Sequence, residues 1–335
     1  MSIDVLRVGL DLDGSLESLG DSMTDLADAL SERGDLELRR FRTMSSPRSA
    51  EEQRLRMRWF WSPWWRRSRG RAIDAMLAPV DVVHVAGRAT PPTRRVPLLI
   101  SVDDLRPLRV ERGHQRVVQL QRAVQRGAVL AVSSRAARAE VMATMGLERP
   151  EIVVARPPVS QMSATRDGTA LVVSVSGNTE RFVAMAADLQ GFAERHQAPW
   201  FVVASAAVLA RVRASGVAAS FVERRDAATT LAHARVVVYI SDGARFPSFA
   251  IAALSAGVPT LARASDVNRE LLDGAAALVH HDDESMGALE DLWVNESRRA
   301  ILVAAGLVRA ADFSPWNVAS VYASLYGELA RRGHP

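Results

Sequence analysis

The sequence contains no cysteine, no lysine and no long apolar run. Without cysteine the chain can form neither a disulfide nor a metal site held by cysteine. No stretch reaches the roughly 18 consecutive apolar residues that a membrane-spanning helix needs. The first ten residues lead into a strand and lack the basic region and apolar stretch of a signal peptide. These absences predict a cytoplasmic protein.

Arginine supplies all 42 basic side chains, which face 38 acidic ones. Their distribution is uneven along the chain. Residues 1–160 contain 26 arginines and 20 acids, a balance of +6, whereas residues 161–335 contain 16 arginines and 18 acids, a balance of −2. The first half is therefore the better candidate for contact with an anionic partner.

The length of 335 residues, with 48% hydrophobic residues, predicts two domains. Short apolar runs alternate with amphipathic helical segments, and the polar residues 160–168 separate two such series. The predicted strands cover residues 5–12, 36–41, 78–86, 96–102, 128–132 and 152–155, and then 170–176, 200–204, 219–223, 236–240, 260–262 and 276–279. This alternation predicts an α/β protein with two Rossmann-like, doubly wound domains, whose ligands bind beyond the carboxyl ends of the strands.

The segment from residue 316 to residue 331 has apolar residues at helical spacing. They are Trp316, Val318, Val321, Tyr322, Leu325, Tyr326 and Leu329. Because no further strand follows, this helix is expected to pack on a domain that is already built.

Six segments occur in an order that identifies a family resemblance. They are VDVVHV (80–85), ISVDDLRPL (100–108), AVSSRAARAEV (131–141), ARFPSFAIAALSAGVPTLA (244–262), DGAAALVHHDD (273–283) and FSPW (313–316). Together they resemble the landmarks of the GT-B glycosyltransferases of the large retaining family 4, over nearly the whole chain. The resemblance implies an acceptor-side domain over 1–160, a donor-side domain over 169–312, and a C-terminal helix within 313–335 that crosses back onto the first domain.

The resemblance also implies hexosyl transfer from a nucleotide-sugar donor to a lipid-linked or small-molecule acceptor, without a further cofactor. The donor-binding residues that it indicates are Gly14, Gly20, Asn178, Arg181, Glu223, Ser241, Pro247, Ser248 and Phe249. Amides near Ser248 at the start of a helix are suited to a diphosphate, although Ser248 is equally typical of an ordinary N-cap. Arg181 either reaches the diphosphate or is a surface arginine.

The sequence departs from the family at two glutamate positions, which here are Ala244 and Ala252. The resemblance implies that the second glutamate holds ribose hydroxyls, and alanine accepts no hydrogen bond, so two polar contacts to the donor are lost. A second hypothesis follows from this departure. According to this hypothesis, the chain is a catalytically inactive GT-B pseudoenzyme that acts as a binding or scaffold subunit of a glycosyltransferase complex.

Asp103 and Asp104 occupy the region of the family's active-site histidine in the first domain. Two adjacent acids there form a candidate acid/base pair, but acids that follow a strand more often cap a turn. His84 lies on a strand that is predicted to be buried, which favours a core histidine. The acidic turn His280–Asp283 is predicted to be a turn without a metal.

Residues 54–71 contain seven arginines, four of the seven tryptophans and no acid. Such a segment is suited to an anionic membrane surface at the inner face of the membrane, or to a protein partner such as a second glycosyltransferase subunit. It has no recognised nucleic-acid module beside it. The alternative is a helix that buries its tryptophans. The predicted contact residues are Trp59, Trp61, Trp64, Trp65, Arg66 and Arg67.

Overall fold

The computed structural model describes residues 5–13, 22–43, 45–53, 55, 64–65, 70–86, 90–102, 104–109, 114–146, 152–162, 168–214 and 216–333. These residues divide into two compact units. One contains the described residues up to Pro158 together with those from Pro315 onward, and the other contains those between Val159 and Ser314. Each unit has one parallel, six-stranded sheet with helices, so the predicted α/β class is confirmed.

The sheet of the first unit has the order β2-β1-β3-β4-β5-β6, with every pair parallel. Its strands are β1 (Leu6–Asp11), β2 (Leu36–Phe41), β3 (Val82–Ala86), β4 (Leu98–Val102), β5 (Val129–Val132) and β6 (Ile152–Val154). Between them lie the helices α1 (Ser22–Ser31), α2 (Asp74–Leu77), α3 (Arg106–Arg109), α4 (His114–Val124) and α5 (Arg135–Met145). The strand predicted over 78–86 begins only at Val82. Just before it, the Arg7 amide of β1 donates a hydrogen bond to the Asp81 carboxylate.

The sheet of the second unit has the order β12-β11-β10-β7-β8-β9 and is also parallel. Its strands are β7 (Ala170–Ser176), β8 (Trp200–Ala204), β9 (Ser220–Glu223), β10 (Ala234–Ser241), β11 (Thr260–Arg263) and β12 (Ala277–Val279). Its helices are α6 (Thr179–Arg195), α7 (Ala206–Arg213), α8 (Ala228–Ala232), α9 (Ser248–Ser255), α10 (Asp266–Leu272), α11 (Glu284–Val294) and α12 (Glu296–Ala311). Every residue of β7 is buried, as expected for a parallel strand covered on both faces.

Side chains fix where several of these helices begin. In four helices the preceding residue accepts a hydrogen bond from the backbone N–H three residues later, which satisfies one of the amides that lack an intrahelical partner. The capping residues are Ser134, Asn178, Ser265 and Asn295.

The last helix, α13 (Pro315–Arg332), packs on the first unit. Val318, Tyr322, Tyr326 and Leu329 lie in one core cluster with β1 and α1 residues such as Leu10. This confirms the expected return of the C-terminal helix. Two residues of the predicted apolar face are instead exposed to solvent: Trp316 is 54% exposed and Val321 is 52% exposed. Among the described helices, none combines the length and hydropathy that crossing a membrane requires.

Candidate functional site

The two central strands of the second sheet, β7 and β10, end side by side in glycine turns. Gly177 follows β7 and Gly243 follows β10 by two residues, with φ of 88° and 68°. These are left-handed values that favour glycine. A Cβ atom on Gly177 would lie 2.4 Å from Oδ2 of Asp242. The Asp242 carboxylate therefore lies directly against the backbone at the end of β7, and only glycine leaves it room.

The Tyr239 phenol of β10 interacts with two serines at the ends of these strands, Ser176 and Ser241. Burial raises the pKa of Tyr239, while the Arg224 charge and hydrogen bonds with Ser176 and Ser241 act in the opposite direction. Ser241 is itself buried, and its Oγ accepts a hydrogen bond of 3.4 Å from the Gly243 amide. The predicted donor residue Ser241 is thus engaged with neighbouring protein groups.

Three arginines are the buried charged side chains among the described residues of the second unit. Arg181, Arg224 and Arg245 are 8%, 4% and 8% exposed, and no carboxylate of these residues is buried to the same degree. All three follow the carboxyl end of a strand: Arg181 lies in the first turn after β7, Arg224 directly after β9, and Arg245 shortly after β10. Because arginine stays protonated in proteins, this edge of the sheet holds buried positive charge.

Arg224 links three elements at this edge. Its Nη2 donates a hydrogen bond of 2.9 Å to the Val175 carbonyl of β7. Its guanidinium carbon lies 6.0 Å from the centre of the Phe249 ring, in the first turn of α9. Phe249 is only 1% exposed. Its ring therefore packs in the core against Arg224 and does not make the predicted contact with the donor.

Arg181 is held by one ion pair. Its Nη2 lies 2.9 Å from Oδ1 of Asp282, whose side chain is 53% exposed. Nε and Nη1 of Arg181 are enclosed and have no hydrogen-bond partner. Burial lowers the pKa of Arg181, and the nearby Arg263 lowers it further, whereas Asp282 raises it. The alternative that Arg181 is an ordinary surface arginine is wrong.

Asn178 acts at the start of α6. Its side-chain oxygen accepts a hydrogen bond of 3.0 Å from the Arg181 amide. This predicted donor residue therefore caps the helix that carries Arg181 and fixes the position of the arginine. Glu223, another predicted donor residue, forms an ion pair of 2.9 Å with Arg225.

Helix α9 begins at Ser248, shortly after Arg245 in the chain. Pro247 is its N-cap and makes no side-chain capping contact, and Ser248 is the first helical residue. The alternative in which Ser248 is the N-cap is therefore wrong. The Ser248 amide donates to the Phe246 carbonyl at 2.9 Å. The next two amides, of Phe249 and Ala250, belong to the first turn and have no acceptor within the helix, which makes this helix end attractive to an anion.

The two alanines at the family's glutamate positions are both in the core. Ala244 is 1% exposed and Ala252 is 0% exposed. Their methyl groups contribute packing and no acceptor. The two positions at which the resembled family has glutamate are therefore buried in this protein. Among the described residues of this unit, no acidic side chain is buried to the same degree.

Several predicted site residues lie outside the described residues: Gly14, Gly20, Trp59, Trp61, Arg66, Arg67 and Asp103. Asp104 is described. Its Oδ1 accepts hydrogen bonds from the Arg106 amide and Nε, both at 3.0 Å, and its Oδ2 accepts one from Arg106 Nη2 at 2.8 Å. This is the turn-capping contact that the alternative interpretation describes.

The tryptophan segment is described at Trp64 and Trp65. Trp64 is 48% exposed, whereas Trp65 is fully buried. The indole Nε1 of Trp65 donates to the Arg71 carbonyl at 3.0 Å, and Thr90 Oγ1 donates to the Trp65 carbonyl at 3.2 Å. This corrects the assignment of Trp65 to a membrane or partner contact, because no part of its side chain reaches the surface.

His84 is a core histidine in the first unit. It is fully buried, with Nδ1 at 2.7 Å from the Tyr326 hydroxyl and Nε2 at 2.8 Å from Ser101 Oγ. Tyr322 stacks on its ring with centroids 5.2 Å apart. Burial lowers the pKa of His84 to about 3, so the imidazole is neutral at physiological pH.

A network that the sequence did not indicate lies where β1 ends. Asp11 is fully buried and accepts hydrogen bonds from the Thr43 hydroxyl at 2.7 Å, the Thr43 amide at 3.2 Å and the Asp13 amide at 3.1 Å. Asp13 in turn accepts hydrogen bonds from the amide and the hydroxyl of Ser45. Burial, together with the Asp13 charge, raises the pKa of Asp11 to about 7.

The turn His280–Asp283 is organised by Glu284, the first residue of α11. Its Oε2 accepts hydrogen bonds from the amides of His280 and His281, at 2.8 and 3.2 Å. Within the part of the chain that the structure describes, no cluster of three or more His, Cys, Asp or Glu side chains is placed to hold a metal ion.

No protein-family model matches the sequence, and no curated protein matches it by sequence. Solved structures do match its fold. Sucrose-phosphate synthase from Thermosynechococcus elongatus has a TM-score of 0.70 at 13% identity, covering 98% of this chain and 99% of that one. WaaG, a glycosyltransferase of lipopolysaccharide biosynthesis, has a TM-score of 0.67 at 14% identity, covering 96% and 99%. Anabaena HepE, solved with UDP and glucose, has a TM-score of 0.64 at 12% identity, covering 97% and 100%. The chain has the GT-B glycosyltransferase fold.

Proposed function

We propose that this protein is a glycosyltransferase that transfers a hexosyl group from a nucleotide-sugar donor to a lipid-linked or small-molecule acceptor. The observation that carries the proposal is the group of three buried arginines, Arg181, Arg224 and Arg245, at the carboxyl edge of the second sheet. In open α/β sheets, ligands bind at this edge.

The chemistry of the arginines fits the leaving group of such a reaction. A nucleoside diphosphate departs with additional negative charge, and fixed cations and amides stabilise that charge in the transition state. Guanidinium groups bind phosphate oxygens in a bidentate manner. The first-turn amides of Phe249 and Ala250 add donors at the positive end of α9. One structure of similar fold, HepE, was solved with UDP and glucose, which supports this ligand class.

In this proposal, the predicted donor residues have different tasks. Arg181 contacts the diphosphate, and Pro247 and Ser248 set the start of α9. Asn178 and Ser241 support the site through the contacts described above. Gly14, Gly20 and Glu223 are further proposed contacts with the donor.

A second candidate function is a binding or scaffold subunit without catalysis. The buried Ala244 and Ala252 favour it, because no carboxylate stands at either position. The bidentate ion pair of Asp104 with Arg106 also favours it, since that carboxylate is already engaged. Asp103 remains the proposed acid/base candidate under the first function.

Thermal unfolding with UDP-, GDP-, TDP- and ADP-sugars tests donor binding, since a ligand of the folded state raises the melting temperature. We expect one of these donors to stabilise the wild type. Arg224→Gln should abolish that ligand-induced shift. Arg211→Gln is the control, because Arg211 is an exposed arginine of α7 in the same unit, and it should retain the shift.

Turnover separates the two functions. Release of hexose or nucleoside diphosphate from the stabilising donor, measured with and without acceptor lipids, supports the transferase. Donor binding without turnover supports the scaffold, and the absence of a thermal shift with every donor argues against the donor site itself.

A further inference from the structure

We propose that the buried Arg181 guanidinium is an anion-binding site to which the Asp282 carboxylate is bound, and that a phosphate or diphosphate group displaces this carboxylate. The inference rests on the proposed function only in identifying the natural ligand as the donor diphosphate. It adds a competing residue, Asp282, to that site.

The hydrogen-bonding capacity of Arg181 is mostly unused. A guanidinium has five N–H donors in a planar fork. Asp282 engages Nη2 at 2.9 Å, while Nε and Nη1 are enclosed without a hydrogen-bond partner. Leaving buried donors of a charged group unsatisfied is unfavourable. A phosphate group presents more acceptor oxygens to these donors than the single carboxylate oxygen that now contacts Nη2.

The two partners differ in how firmly they are held. Arg181 lies in the first turn of α6, whose start is fixed by the Asn178 cap, and its side chain is 7% exposed. Asp282 lies in the turn before α11 and is 53% exposed. The Glu284 carboxylate holds the backbone of this turn through the His280 and His281 amides. The Asp282 side chain can therefore leave Arg181 while the turn stays in place.

Asp282→Asn tests the competition, with Asp283→Asn as the matched control. Asp283 is the neighbouring, exposed acid of the same turn, so both variants remove one charge from one loop. Calorimetry would measure the binding of inorganic pyrophosphate and of UDP. We expect Asp282→Asn to tighten pyrophosphate binding about fivefold, the upper range for a partly exposed ion pair. We expect Asp283→Asn to change it by less than about twofold, by long-range charge alone.

The outcomes are distinct. Equal effects of the two variants, no effect of Asp282→Asn, or no pyrophosphate binding by either protein overturns the inference. In the Arg181→Gln background, Asp282→Asn should lose its effect, because the two residues act through one contact. If pyrophosphate binding responds as expected but no nucleotide sugar binds, the anion site stands and the proposed glycosyl transfer fails.

Discussion

At the scale of single residues, burial separates neighbours that the sequence does not distinguish. Trp64 and Trp65 stand in the same cationic, aromatic segment, yet one is half-exposed and the other lies in the core. Trp65 hydrogen-bonds inside the first unit. A surface role in this segment can therefore rest on Trp64 and not on Trp65.

We expect Trp64→Ala to leave the free energy of unfolding nearly unchanged and to weaken binding to vesicles that contain anionic lipid, because an exposed indole favours the membrane interface. Trp65→Ala should lower the free energy of unfolding by about 3–5 kcal/mol, through lost burial and a cavity. Chemical denaturation and vesicle co-sedimentation measure the two effects. Unchanged vesicle binding by Trp64→Ala would remove the membrane proposal at this residue.

Asp11 predicts a pH dependence of stability. Its pKa is raised from 3.8 to about 7 in the folded protein, by burial first and then by the Asp13 charge. Between these two values the folded state holds a proton that the unfolded state has released, so the free energy of unfolding falls as pH rises from about 4 to about 7. Below 3.8 both states are protonated, and this stabilising contribution is complete.

Asp11→Asn should remove that slope, because the amide stays neutral while its oxygen still accepts the hydrogen bonds from the backbone amides of Thr43 and Asp13. Relative to the wild type, the variant should become more stable with rising pH over this window. Chemical denaturation at a series of pH values measures it. Glu32→Gln, at an exposed position of the same unit, should leave the slope in place, and parallel curves for Asp11→Asn and the wild type would contradict the assignment.

At the scale of elements, α13 is attached to the first sheet by both apolar and polar contacts. Its apolar face packs against β1 and α1, and the Tyr326 hydroxyl meets His84 of β3 at 2.7 Å. Because the histidine is neutral and fully buried, each ring nitrogen needs a partner. Ser101 supplies one partner and α13 supplies the other.

We expect Tyr326→Phe to lower the free energy of unfolding by about 1–3 kcal/mol, because His84 Nδ1 then remains buried without a partner. Amide hydrogen exchange in α13 should become faster. Tyr322→Phe is the comparison, since the Tyr322 hydroxyl lies 3.4 Å from the Ala155 carbonyl, and its effect should be smaller. Equal losses of unfolding free energy in the two variants would show that the hydrogen bond to His84 contributes no more stability than the Tyr322 contact with the Ala155 carbonyl.

Element prediction succeeded where burial produces a strong pattern. The mostly apolar segment of β7 and the helical spacing in α13 both indicate the element that the structure contains. The helices α11 and α12 were not predicted from the sequence. Ile301 and Val308 of α12 are 69% and 76% exposed, so the apolar residues of this helix do not mark one buried face. Periodicity is informative only where one face is buried and the other is polar.

At the scale of the whole molecule, the chain repeats one architecture. Two parallel six-stranded sheets, each with its own helices, account for all twelve strands among the described residues. The buried charges of the two units differ. The first unit buries Asp11, Glu52 and Asp74 as well as Arg42, whereas the second buries arginines alone among its described charged residues. The overall charge balance, which favoured the first half for an anionic partner, does not reveal this difference.

The sequence alone determined the α/β class and the two sheets, because alternating apolar runs and helical spacing follow from the burial of each element. The return of the C-terminal helix to the first unit was implied by the family resemblance. The sequence also determined that Ala244 and Ala252 stand where the family that the chain resembles has glutamate, because residue identity needs no coordinates. Only the tertiary structure decided which arginines are buried at the sheet edge and that Arg181 pairs with Asp282, about one hundred residues away. Burial and pairing of charges depend on which strand ends meet, and this depends on the order of strands in the sheet rather than on any local pattern.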